Sequence, residues 1–93
     1  MNLTNEIKSF CKNLQQNYGG AYIPTDEEGY ININIVFINS DDREDETQFD
    51  ILPANFDYGA GKCPELVELW KEFCKENGFK QNSVQRIYIP GLE

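Results

Sequence analysis

The one stretch that places a nucleophile where it could be activated is Gly59-Ala60-Gly61-Lys62-Cys63-Pro64. Pro64 suits the first position of a helix, so Cys63 would stand at that helix's N-terminus with Lys62 beside it. Both neighbours favour the thiolate, which makes Cys63 the one cysteine of three expected to react. Nothing in the sequence completes a catalytic unit around it. The chain has no histidine, so neither a Cys–His dyad nor a Ser–His–Asp triad can be built. No second cysteine lies nearby in sequence to resolve an oxidised thiol. The same glycines suggest a phosphate cradle, because free amides at a helix N-terminus favour an anion. The pattern breaks in detail: a P-loop needs glycine where Phe56 stands and serine or threonine where Cys63 stands, and Pro64 removes a donor.

Metal and carboxylate chemistry fare no better. Cys11, Cys63 and Cys74 form no C-x-x-C pair. The acids fit no register of an EF-hand, since the third position from Asp41 is Arg43 and the fifth from Asp26 is Tyr30. Paired carboxylates for glycoside hydrolysis would need a cleft, and these acids lie in loops of a small chain. The expectation is a non-enzymatic protein with no catalytic residue, no bound metal and no cofactor. A rival reading keeps a small ligand-binding or thiol-dependent domain centred on Cys63 and the loop of residues 59–62.

What remains is charge. The net charge is −8, yet residues 19–57 hold ten acids against one base while the rest of the chain is close to neutral. Such a field repels nucleic acid and anionic membranes and attracts basic protein surfaces. Direct binding to nucleic acid or to membrane is therefore not expected. There is no apolar run long enough to cross a bilayer and no basic-then-apolar start. With an odd number of cysteines, this reads as a cytoplasmic protein with reduced thiols.

The elements that must position these residues follow from periodicity. Residues 30–38 alternate, with Ile31, Ile33, Ile35 and Phe37 on one face and Tyr30, Asn32 and Asn34, then apolar Val36 and Ile38, on the other; burial of one face and half of the second predicts a long central strand. Before it, residues 2–18 carry the apolar stripe Leu3, Ile7, Phe10, Cys11, Leu14 and Tyr18 of a helix, capped by Asn2 or Thr4 and stopped by Gly19. Residues 21–24 read as a short strand ended by Pro24, and Asp26, Glu27, Glu28 and Gly29 as the turn into the long strand. Residues 39–46 read as an exposed acidic loop, residues 47–52 as a third strand, and residues 53–63 as irregular. A second helix runs from Pro64 to a stop at Gly78, with Leu66, Trp70, Phe73 and Cys74 inward, and residues 84–90 form the last strand. The prediction is one α+β domain over residues 1–93, in the order α-β-β-β-α-β. Its sheet is mainly antiparallel, and both helices pack on one face. The last strand is expected beside the first or the third.

The functional expectation is a small acidic protein that binds and blocks a basic partner, such as one that binds nucleic acid. Counter-defence inhibitors, immunity proteins and nucleic-acid mimics share this composition, and the likeness is one of composition alone. The partner-binding candidates are Asp26, Glu27 and Glu28 in one turn and Asp41, Asp42, Glu44, Asp45 and Glu46 in the next loop. Asp50 could bridge the two ends of the long strand, which lie about 30 Å apart. Phe56, Asp57 and Tyr58 in the irregular segment are further candidates, the aromatics as interface anchors. The open edge of the last strand could also pair with a second copy of the chain.

Overall fold

The computed structural model describes residues 4–18 and 22–92. Its organising element is β1 (Ile31–Ile38). Ile31, Ile33 and Ile35 are fully buried and Phe37 nearly so. The strand is central, as its sequence implies: the order across the sheet is β2-β1-β3, with β2 (Glu44–Ile51) and β3 (Val84–Tyr88) on either side, both antiparallel to it. The apolar face of β1 continues into Phe49 and Ile51 of β2 and Ile87 of β3 by register.

Both helices cover this face. α1 (Asn5–Asn17) lies over β3 and α2 (Pro64–Asn77) over β2, and they contribute Ile7, Cys11 and Leu14, and Leu66, Trp70 and Cys74, to a single core. Thr4 is the residue that caps α1, its side chain accepting a hydrogen bond from the Ile7 N–H at 3.4 Å. Asn2 and Gly19 lie outside the described residues. Pro64 opens α2 where no amide donor is needed. Gly78 closes it in the left-handed region at φ 72°, and the Phe79 N–H returns to the Cys74 carbonyl at 2.9 Å.

The α+β class, the antiparallel sheet, the single domain and the one-sided packing agree with the sequence reading. Two details differ. Among the described residues the sheet has three strands, because residues 22–24 join no ladder. Pro24 has no N–H to donate, and the edge of β1 that this segment would need is taken by β3. Ile23 still turns into the core. The last strand therefore pairs with the long strand itself, not beside a first strand or the third.

The irregular alternation of β3 also has a cause. Ile87 faces Ile35 and Arg86 faces Val36, but Val84 faces Phe37, so Gln85 is the extra residue of a bulge. The bulge turns both Val84 and Ile87 to the core and leaves Arg86 and Tyr88 on the opposite face.

An aromatic cluster closes the core. Phe37 meets Trp70 and Phe73 edge-on, each at 5.5 Å between centroids, and Phe79 at 5.0 Å. Phe49 adds edge contacts to Trp70 and Phe73. The buried indole N–H donates to the Gln81 carbonyl at 2.9 Å, which pins the link between α2 and β3. Phe37→Ala is expected to cost about 3–5 kcal/mol in urea unfolding. Tyr22→Ala, at a side chain 83% exposed, should stay within about 0.5 kcal/mol. Similar losses in the two variants would show that this cluster does not hold the core.

Candidate functional site

The helices leave the second sheet face uncovered, and alternation decides what lies on it. By register the face presents Asn32 and Asn34 with Val36 on β1. It presents Asp50, Gln48, Glu46 and Glu44 on β2, and Tyr88 and Arg86 on β3. The acids from residue 44 onward are thus strand residues and not a loop. Only residues 39–43 form the turn, where the Asn39 side chain accepts hydrogen bonds from the N–H groups of Asp41 (2.9 Å) and Arg43 (3.1 Å). Asp42 takes the left-handed conformation there, at φ 62°, which a short polar side chain tolerates.

Neutral amides wire the carboxylates together. Asn32 donates through Nδ2 to Asp50 Oδ1 at 2.8 Å and to Asp26 Oδ2 at 3.1 Å, so the first turn is joined to the sheet. Gln48 donates to the same Asp50 oxygen at 2.9 Å. Asn34 donates to Glu46 Oε2, and the Tyr88 hydroxyl donates to that oxygen at 2.6 Å. The Arg86 guanidinium stacks 4.1 Å from the centre of the Tyr88 ring. Asn34 Oδ1, buried in this network, accepts no hydrogen bond among the described residues. A shallow depression of about 590 Å³ opens above Val36, between Glu44 and Glu46 on one side and Gln85 and Arg86 on the other.

These contacts hold two acids ionised. Asp26 lies below its ordinary range chiefly because the Tyr30 N–H donates to its carboxylate, with Asn32 second. Glu46 lies below its range because of the Tyr88 hydroxyl first, then Asn34, with attraction from Arg86 adding a smaller part.

The other candidates fall elsewhere. Glu27 and Glu28 are exposed beside Asp26, and Asp41 and Asp42 are exposed at the far turn. Asp45 pairs with Phe37 by register, is exposed, borders the depression above Val36 and accepts from the Glu46 N–H at 2.8 Å. Asp57 belongs to the helix side: it shares a two-way backbone bridge with Lys62, and its carboxylate accepts from the Ala60 N–H at 3.1 Å. It serves that loop and does not extend the acidic track. Phe56 is buried in the core and stacks on half-buried Tyr58 at 5.4 Å, so it has no surface with which to anchor a partner. Arg86 and Tyr88 belong to the site but were not singled out from sequence, because the bulge at Gln85 hides which side they face.

Cys63 departs most from expectation. It is 2% exposed, and burial pushes its thiol up, outweighing the opposing pull of the Leu66 N–H. Burial likewise pushes Cys11 and Cys74 up to about 11. At neutral pH all three are protonated, so the activated thiolate inferred from the helix start does not form. Among the described residues, no cluster of three or more His, Cys, Asp or Glu side chains could hold a metal ion. No described helix is long and apolar enough to cross a membrane.

Comparison with protein-family models, with curated proteins and with solved structures gave no match.

The lowered carboxylates make a sign-definite prediction. A depressed group stabilises the fold above its unfolded pKa and loses that contribution as pH falls through the folded value. Glu46 should titrate below its ordinary 4.5 and Asp26 below 3.8 when followed by carboxyl NMR. Tyr88→Phe should move Glu46 upward, toward its ordinary value. Asn32→Ala should move Asp26 less, because the backbone donor that dominates its shift is kept.

Proposed function

We propose that this chain is a small, non-enzymatic acidic protein that binds a basic protein surface and blocks it. The observation that carries this reading is the uncovered sheet face, where Glu44, Glu46 and Asp50 line one strand and Asp26 joins them through Asn32. Glu46, Asp50 and Asp26 are positioned mostly by neutral donors, so their charge is fixed in place and largely kept, and exposed Glu44 extends the row. Such a preorganised row suits a cationic partner better than mobile surface acids do, since little side-chain entropy is lost on contact.

The partner class follows from spacing. Alternate strand residues repeat at about 6.7 Å, and with neutral Gln48 in the row the charges of Glu44, Glu46 and Asp50 fall about 10 Å apart on average, roughly a third of the linear charge density of one DNA strand. The face therefore offers a short, flat polyanion that partly imitates a nucleic acid. The surfaces it fits are basic grooves or faces built to take one.

The test uses the tagged protein in a native lysate at low and then high salt. It should capture basic proteins that salt releases. Capture should be lost with the triple variant Glu44→Gln, Glu46→Gln, Asp50→Asn, which keeps side-chain shape while removing three charges. For the purified pair, the variant should slow association and flatten its salt dependence. Undiminished capture by the triple variant would remove this face from the mechanism, with Glu72→Gln on α2 as the matched control.

A further inference from the structure

A second surface lies on the opposite side of the molecule. A groove of about 530 Å³ runs between α1, the loop of residues 57–63 and the first turns of α2, and its accessible lining is mainly carbon. Ile7, Cys11, Cys63 and Val67 form the floor, and Lys8, Lys12 and Lys62 stand at the rim. The volume falls in the range of small-molecule sites, about 300–1,000 Å³.

The backbone sets the groove's shape in advance. Asp57 and Lys62 exchange N–H···O bonds of 2.8 and 3.1 Å, which closes the loop and fixes where Lys62 leaves it. Gly61, at φ +64°, lies flat on α1: a Cβ there would sit 3.1 Å from the Lys12 Cα. The wall is therefore seated on the helix without help from a ligand.

The charge at the rim points to an anion. The chain has eight basic residues and a net charge of −8, yet three of the eight bases meet at this one groove. One acid, Glu68, also lines the groove; it lies 3.5 Å from Lys71, and the three lysines leave the lining with an excess of two positive charges.

We propose that this groove binds a small anionic amphiphile, a medium-chain carboxylate whose chain lies over Ile7, Cys11 and Val67 and whose head meets Lys12 and Lys62. The carbon floor answers the chain and the ammonium rim answers the head. The thiols of Cys11 and Cys63 act as floor atoms, because burial keeps both protonated. The site is separate from the sheet face and does not depend on the function proposed for it.

The experiment follows backbone amide NMR shifts while decanoate, and in parallel uncharged 1-decanol, is added below its aggregation threshold. Decanoate should give saturable shifts at Lys12, Gly61, Lys62 and Val67 and none at Glu46. The double variant Lys12→Glu, Lys62→Glu changes two exposed side chains. It should weaken decanoate by at least about tenfold and leave decanol unchanged. Val67→Glu, which places charge on the floor, should weaken both ligands, with far-UV circular dichroism confirming that each variant is folded. Removing the three charges of Glu44, Glu46 and Asp50 should leave decanoate binding intact. Absence of saturable binding, equal affinity for acid and alcohol, or shifts centred on the sheet would each overturn the proposal. So would preference for an acidic amphipathic peptide over decanoate.

Discussion

The structure depends on β1 being buried on one side only. Ile31, Ile33, Ile35 and Phe37 put four large side chains into the core from one strand, each worth roughly 1.5–3 kcal/mol of transfer free energy. Two helices of 13 and 14 residues are enough to cover one face of a three-stranded sheet, and both are drawn to that side. The other face is left to water. A central strand cannot be withdrawn from its neighbours, so the side chains it presents outward must be polar yet still fit between two flanking strands. Asn32 and Asn34 meet that condition because each amide donates to a side chain at its own register or beside it, Asp50 for one and Glu46 for the other.

The acidic face is thus a consequence of the core. Glu44, Glu46 and Asp50 along one strand repel one another, and edge strands rich in acids have poor intrinsic β preference. Donors from β1 and β3 offset this cost, and the same charges discourage edge-to-edge pairing along β2. The lowered pKa of Glu46 has the same origin: the Tyr88 hydroxyl and the Asn34 amide stabilise its ionised form. Val36 and Ile38 are apolar on this face; Val36 is 8% exposed, with Glu46 and Arg86 opposite it on the two neighbouring strands. It gives the depression between those charges an apolar floor, on which the stem of a lysine or arginine could rest while its head meets the carboxylates.

The elements with strong periodicity were legible from the residues themselves. β1, both helices, the proline start and the glycine stop of α2 all follow from local pattern, because side-chain alternation, ring geometry and left-handed φ are local properties. Elements that depend on partners were not legible. Residues 22–24 have strand-like composition, but pairing is decided by which segment reaches the edge of β1, and β3 does. β2 was cut short at its acidic end because charge masks alternation: Glu44 and Glu46 point outward just as Gln48 and Asp50 do, and only the pairing with Ile38 and Val36 shows it. Cys63 differs from its sequence expectation for a related reason. Its position beside Lys62 at a helix start is visible in sequence, but its burial under α1 is not, and burial, to which the nearby Glu65 carboxylate adds, outweighs the amides that favour the thiolate.

The sheet face and the groove are opposite in sign and lie on opposite sides of the sheet. The sheet and a layer of helices, the latter roughly 10 Å thick, stand between them. The Debye length at physiological salt is about 8 Å, so each surface is largely screened from the other while remaining close enough to orient an approaching charge. On the function proposed, a basic partner would be drawn to the sheet and turned away from the lysines, which would narrow the angles at which an encounter is productive. The anion proposed for the groove would be steered the other way. Occupying the groove with one negative charge changes the sheet's potential little across that distance, so binding at the two sites would be additive. Coupling between them would require a mechanical link through the core, and the rings of Phe37, Phe49, Trp70 and Phe73, mostly edge-on to one another, are packed too closely to offer a second arrangement at low cost.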